Sequence, residues 1–235
     1  MIANKDIVVR GQTAELHGRA LSEWTPQGMP APVCQKEKFS HQPLASVCSG
    51  FLVADNIIAT AGHCMTSFND CANFKWVFNY KVSDKNQTAV SVDVKDVYSC
   101  SRIIKQGLAN NVDFALIQLD RPLFGKAVKI AKAEPSIGTP LVMIGHPSGL
   151  PQKISDKARV MSLRPNGFAT DLDAFQGNSG SAVFNALTGE LLGILVNGNE
   201  DYRYNSVLNC TEVNIMNSAQ AGEGVSSFRQ FQAFL

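Results

Sequence analysis

Apolar and polar positions alternate over short distances through most of this chain. From residue 46 onward, β-prone runs recur at 47–53, 56–61, 74–80, 89–97 and 114–119, and Ala54-Asp55-Asn56 gives a hairpin signal between the first two. A second series follows at 140–145, 159–163, 168–172, 181–185, 191–196 and, less regularly, 207–214. No long helix alternates with these runs, as a parallel sheet would require, so the pattern predicts an all-β chain built as barrels or sandwiches. Between the two series, residues 131–138 read A-K-A-E-P-S-I-G, a connection marked by Pro135 and Gly138. The halves match in organisation without a sequence repeat.

The two ends differ from this pattern. Residues 1–40 carry Pro26, Gly28, Pro30 and Pro32 with little periodicity, which predicts an arm laid over a barrel surface, with no regular element assigned. At the other end Val225, Phe228, Phe231 and Phe234 or Leu235 recur every three or four residues, with Ser226 placed as an N-cap. A terminal helix that docks its phenylalanines on the body is expected. The units so predicted are an arm (1–40), a first barrel (41–130), a linker (131–138), a second barrel (139–222) and a helix (223–235), within one domain.

Composition narrows the class of function. The 235 residues suffice for a substantial core, 45% of them are hydrophobic, and 21 Lys+Arg nearly balance 20 Asp+Glu. No field favours nucleic acid, so none is expected as a partner. No stretch approaches the roughly 18 to 20 apolar residues of a membrane span, and residues 1–10 lack an apolar signal core. Either a leader has been removed or the chain stays in the cytoplasm. The cysteines, Cys34, Cys48, Cys64, Cys71, Cys100 and Cys210, form no C-x-x-C pair, and with four histidines a structural zinc site is poorly supplied. No metal or cofactor is expected. An even cysteine count favours disulfides and a secreted or periplasmic location, the alternative being buried free thiols in the cytosol.

Chemistry concentrates in D-A-F-Q-G-N-S-G-S at 173–181. Small residues around Ser179 allow a tight turn that presents a hydroxyl while aiming successive N–H groups into one space. A serine hydroxyl is a weak nucleophile and needs a base, itself oriented by a third group. His63, in T-A-G-H-C after an apolar run, is a candidate base, although a histidine at a strand end is more often structural. Asp113, in N-V-D-F-A-L-I, is a carboxylate opening an apolar strand, where it would be partly buried and need donors such as a histidine N–H.

T-A-G-H-C, V-D-F-A-L and G-N-S-G-S, in that order, resemble the trypsin/chymotrypsin superfamily of serine endopeptidases over residues 46–198. The resemblance implies two six-stranded antiparallel β-barrels of chymotrypsin type, here with a C-terminal helix, and a catalytic triad of His63, Asp113 and Ser179. Ser179 would attack the scissile carbonyl and His63 would shuttle its proton. Asp113 would hold the imidazole, and the N–H groups of Gly177 and Ser179 would form the oxyanion hole. Turnover should then rise with pH as His63 loses its proton. Asp173, Gln176, Val196 and Gly198 are the implied substrate-binding residues, and an acid at Asp173 would favour Arg or Lys before the scissile bond. Cys48–Cys64 is the implied disulfide. The remaining cysteines allow three pairings, of which Cys71–Cys100 within one barrel and Cys34–Cys210 anchoring the arm are preferred.

The departures are as informative. Asn178 stands where trypsin carries the aspartate that pairs with a newly cleaved N-terminus, so that switch is not expected. The G-N-S-G-S form, the I-G-H-P-S-G segment at 144–149 and the short spacing from Asp113 to Ser179 look like the bacterial glutamyl-endopeptidase-like branch, whose glutamate-selective members use a histidine where this chain has Leu195. Phe175 replaces the pocket cysteine of trypsin. An α/β-hydrolase is disfavoured because Ser181 occupies the last glycine of G-x-S-x-G and His63 comes first. The stronger rival is a binding protein on a catalytically retired protease fold. Protein or peptide substrates and a monomeric chain are expected.

Overall fold

The computed structural model describes residues 1–109, 112–123, 125, 127–215 and 222–235. Two six-stranded sheets share one continuous core. In the N-terminal half the strand order is Ile2–Ala3, Phe74–Val77, Val97–Ala109, Val112–Leu119, Ile57–Thr60, Phe51–Ala54. In the C-terminal half Pro140–Gly145, Lys153–Arg164, Gly167–Thr170, Glu223–Ser227, Leu191–Asn197 and Ala182–Asn185 close into an antiparallel barrel. Among described residues no helix is long and apolar enough to cross a membrane.

The two six-stranded sheets are those expected of a chymotrypsin-type fold, the first of them curled into a half-barrel. Its edge strand Ile2–Ala3 is tied to the other side by an isolated Ile2–Ser46 bridge, by the Val47 N–H bonded to the Met1 carbonyl at 3.0 Å and by the Met1 ammonium bonded to the Cys48 carbonyl at 2.8 Å. The chain ahead of Phe51 cannot extend this edge, because Ser49 turns away and donates its N–H to the Ser179 carbonyl at 2.8 Å. Closure is given up where the backbone holds the serine turn.

Burial explains why these strands form. Val112–Leu119 lies between two other strands, and Phe114, Ala115, Leu116, Ile117 and Leu119 are all buried, so it reads as a continuous apolar run. The long neighbour Val97–Ala109 escapes a period-two reading because its register shifts twice, between Cys100 and Arg102 and between Ile103 and Lys105.

The C-terminus corrects one expectation in detail. Residues 223–227 form a strand, and the helical end is reduced to two 3₁₀ turns, Phe228–Gln230 and Gln232–Phe234. Glu223–Ser227 pairs on both sides and completes the barrel, so ladder bonds outweigh the helical spacing of Val225 and Phe228. Ser227 rather than Ser226 caps the first turn, accepting the Arg229 N–H at 3.2 Å. Phe228 and Phe231 are buried, and the Phe231 ring lies 6.1 Å from that of Phe114 in the other half.

The arm also contains strands where none is assigned from sequence. Ile7–Arg10 and Thr13–Leu16 form a hairpin joined by Val90–Asp93, and Arg19–Ala20 pairs with Pro43–Leu44. Beyond these, Leu21 and Val33 pack with Leu150 and Tyr202 in a separate small core. The disulfides are Cys34–Cys210, Cys48–Cys64 and Cys71–Cys100, the pairing preferred from sequence. The first ties the arm to the hairpin Tyr202–Asn205 and Cys210–Val213.

Candidate active site

His63 sits in a 3₁₀ turn, Gly62–Cys64, directly after the strand Ile57–Thr60. The turn can lie flat on the neighbouring strand only because residue 62 has no side chain: a Cβ there would come within 2.5 Å of the Gly107 carbonyl and 3.0 Å of Asp113 Oδ1. Gln106 Nε2 secures the turn by donating to the carbonyls of Gly62 and Met65 at 2.7 and 2.8 Å.

Asp113 receives two donors from one residue. Oδ1 accepts the His63 backbone N–H at 3.1 Å, and Oδ2 lies 2.8 Å from His63 Nδ1. An ionised carboxylate is acceptor-only, so Nδ1 carries the proton and Nε2 is left as the basic nitrogen. The carboxylate is one-fifth exposed and the imidazole two-fifths, so the pair lies at the surface of a cleft.

The serine turn is held from the N-terminal half. Gly177 and Gly180 adopt φ of +86° and +88°, a region costly for other residues. The Ser49 N–H bonds the Ser179 carbonyl at 2.8 Å, and its hydroxyl donates to the Gly177 carbonyl at 3.0 Å while accepting the His146 N–H at 3.1 Å. Thr60, at the end of the strand leading to His63, donates its hydroxyl to the Ser49 carbonyl at 2.7 Å. Ser49 thus couples the histidine strand to the serine turn. Its signal in the sequence is faint, because it acts mostly through the backbone of its partners. Asn178 is buried, with Oδ1 accepting the Ser181 hydroxyl at 3.3 Å. Among the described residues the N–H groups of Gly177 and Ser179 have no backbone acceptor.

Ser179 lines a cavity of about 430 Å³ that the arm helps to wall with Pro26, Gln27 and Met29. Of the sequence-derived binding residues, Gln176 and Gly198 line this cavity. Val196 lines a different one, together with Asp113. Asp173 lines an adjoining cavity of about 320 Å³. Three acids absent from the sequence reading, Glu200, Asp201 and Glu223, line both the Ser179 and the Asp173 cavities. Glu223 opens a buried strand, as Asp113 nearly does, and that common signal was masked by the helical spacing downstream.

Three of the carboxyls around these cavities, Asp173, Asp201 and Glu223, hold protons more tightly than usual. Burial, followed by the nearby Asp201 and Asp173 charges, pushes Glu223 up to about 7, against a partial offset from the Asn199 N–H. Burial also pushes Asp201 up to about 6, and Asp173 upward with Lys38 opposing. Because the unfolded chain ionises Glu223 first, near 4.5, the native state loses stability as pH rises from there to about 7. Glu223→Gln should therefore raise the unfolding free energy by about 1–2 kcal/mol at pH 8, most of which should vanish at pH 4. Urea melts at the two pH values check this, and an equal effect at both would refute the linkage.

Residues 48–194 match the family model for a trypsin-like peptidase domain. The chain belongs to the trypsin-like peptidases. No significant match appears among curated protein sequences. Among solved structures, the inactive form of a serine-to-alanine mutant of Rv3671c from M. tuberculosis H37Rv is similar at 14% identity and a TM-score of 0.51, covering 78% of this chain and 77% of that one. Kallikrein-related peptidase 10 in complex with Zn²⁺ is similar at 16% identity and a TM-score of 0.52, with 80% and 87% covered. At these identities the structural likeness concerns the fold, which for this peptidase is a closed barrel facing a curled half-barrel.

Proposed function

We propose that this peptidase is a serine endopeptidase acting through an acyl-enzyme on Ser179, with His63 as general base and acid and Asp113 as its orienting carboxylate. The observation that carries the reading is the double hydrogen bond from His63 to Asp113, which fixes the imidazole tautomer with Nε2 basic. The Ser179 hydroxyl attacks the carbonyl carbon of the scissile bond as Nε2 takes its proton, and the N–H groups of Gly177 and Ser179 receive the oxyanion. Collapse breaks the C–N bond, and the departing amine takes the proton from Nε2. Water repeats the sequence on the ester and frees the acid.

The acids around the Ser179 cavity support a preference for Arg or Lys before the scissile bond. Asn178 and the 144–149 segment support a place beside the bacterial glutamyl-endopeptidase-like enzymes, with Leu195 arguing against their glutamate selectivity. Three disulfides support an oxidising compartment, the periplasm or the medium.

Rapid mixing with a nitrophenyl ester tests the acyl-enzyme. One equivalent of nitrophenol should appear in a burst, and none with Ser179→Ala. A folded wild-type chain that binds peptides and gives neither burst nor turnover would instead be a binding protein on a retired protease fold.

A further inference from the structure

Of the acids around the cavities, Glu223, Asp201 and Asp173 are not equivalent in position. Glu223 begins the strand Glu223–Ser227, whose pairing with Gly167–Thr170 fixes its backbone, and the residue is only 5% exposed. It nevertheless reaches the wall of the Ser179 cavity. Oε1 accepts the Asn199 N–H at 3.2 Å, and Oε2 takes the space that a side chain on Gly198 would need, since a Cβ there would come within 2.0 Å of it. The wall is bare glycine where the carboxylate meets it. Asp201 is pinned nearby by the Gln176 N–H, 2.7 Å from Oδ2. Asp173 lines only the second cavity, whereas Glu223 and Asp201 also line the one that Ser179 lines.

Charge balance indicates what the pocket takes. Glu200, Asp201 and Glu223 face the Ser179 cavity, Asp171 and Asp173 join them in the second, and Tyr202 borders the first. Among the described residues lining the two cavities none is cationic. Lys38 acts on Asp173 from outside. A buried carboxylate with no cation beside it keeps a proton until one arrives.

Resting on the assignment of Ser179 as nucleophile, we propose that Glu223 is the primary specificity residue. Its carboxylate receives the ammonium or guanidinium of a Lys or Arg side chain inserted beside Ser179, with Asp201 as second acceptor and Asp173 acting only through its more distant charge. Because the Glu223 carboxyl lies near 7 without a ligand, the entering cation displaces its proton, and affinity should climb between pH 5.5 and 8.

The probe is 4-aminobenzamidine, an amidinium of P1 size, titrated by fluorescence into Ser179→Ala, so that binding is read whether or not Ser179 is the nucleophile. Binding should tighten by about tenfold or more from pH 5.5 to 8. Adding Glu223→Gln, which keeps an oxygen for the Asn199 N–H but removes the charge, should weaken it at least about thirtyfold at pH 8 and flatten the pH dependence. Adding Asp173→Asn should change it by less than about threefold, as a through-space effect alone would. Undiminished binding in Glu223→Gln, or the larger loss in Asp173→Asn, overturns the proposal. Should Glu223→Gln not fold, the wild-type chain decides by the ratio of kcat/KM for peptides with Arg and with Leu before the scissile bond. The His63 dependence cancels in that ratio, which should rise from pH 5.5 to 8; a flat ratio overturns the proposal. Amidine binding without hydrolysis would count against the proposed reaction and leave Glu223 in place, whereas hydrolysis after neutral residues alone would do the reverse.

Discussion

Replacing Ser179 by alanine should lower peptide turnover by about 10⁶-fold while leaving the fold intact. The size follows if the proposed triad acts as one unit: without the hydroxyl no acyl-enzyme would form, and His63 and Asp113 would have no nucleophile to activate. What would remain is water attack in a cavity whose proposed oxyanion donors survive, because the Ser179 backbone is still held by the Ser49 N–H. Folding should be unaffected, since the turn depends on Gly177, Gly180 and Ser49 rather than on the lost oxygen. Kinetics on purified wild type and variant, with near-ultraviolet circular dichroism as the fold control, measure both. Retention of even a hundredth of wild-type turnover would remove Ser179 from the role.

Asp113→Asn should cost about 10⁴-fold in turnover, with little change in substrate affinity. Asp113 accepts from both the backbone N–H and the Nδ1–H of His63. Asparagine has a single oxygen. The backbone N–H is always a donor, so that oxygen must face it, leaving the Nδ2 amide to point at Nδ1. The ring then has to accept at Nδ1 and carry its proton on Nε2, where it cannot take one from Ser179. The signature is a drop in kcat at nearly constant KM, together with a nitrogen-15 NMR shift of the resting imidazole to the Nε2–H tautomer. A variant with the wild-type tautomer and wild-type kcat would show that the His63–Asp113 contact is structural.

The His63, Asp113 and Ser179 segments are legible in the sequence because each packs its chemistry into a few consecutive residues, with glycines at the sharp turns beside His63 and Ser179. Their mutual placement depends on Ser49, an unremarkable loop serine whose contribution is two hydrogen bonds to backbone carbonyls of the serine turn. Strands with clean alternation or continuous burial, such as Pro140–Gly145 and Leu191–Asn197, emerge from the pattern. Val97–Ala109 does not, since two register shifts break its period, and the polar Tyr202–Asn205 hairpin strand offers no apolar rhythm at all. Glu223 shows a different kind of limit. Helical spacing and strand pairing compete for residues 223–227, and only the closure of the barrel decides between them. Glu223, one of the acids that face the Ser179 cavity, is therefore hidden by local pattern, while Asp173, six residues before the serine, lines the cavity next door.

Reaction with a fluorophosphonate, followed by intact-mass and peptide mass spectrometry, tests the central claim most directly. A single adduct should form on Ser179 of the native chain, disappear after unfolding in urea, and form far more slowly in Asp113→Asn. A folded native chain that takes up no adduct, or takes it up at another residue, would contradict the assignment of Ser179 as an activated nucleophile.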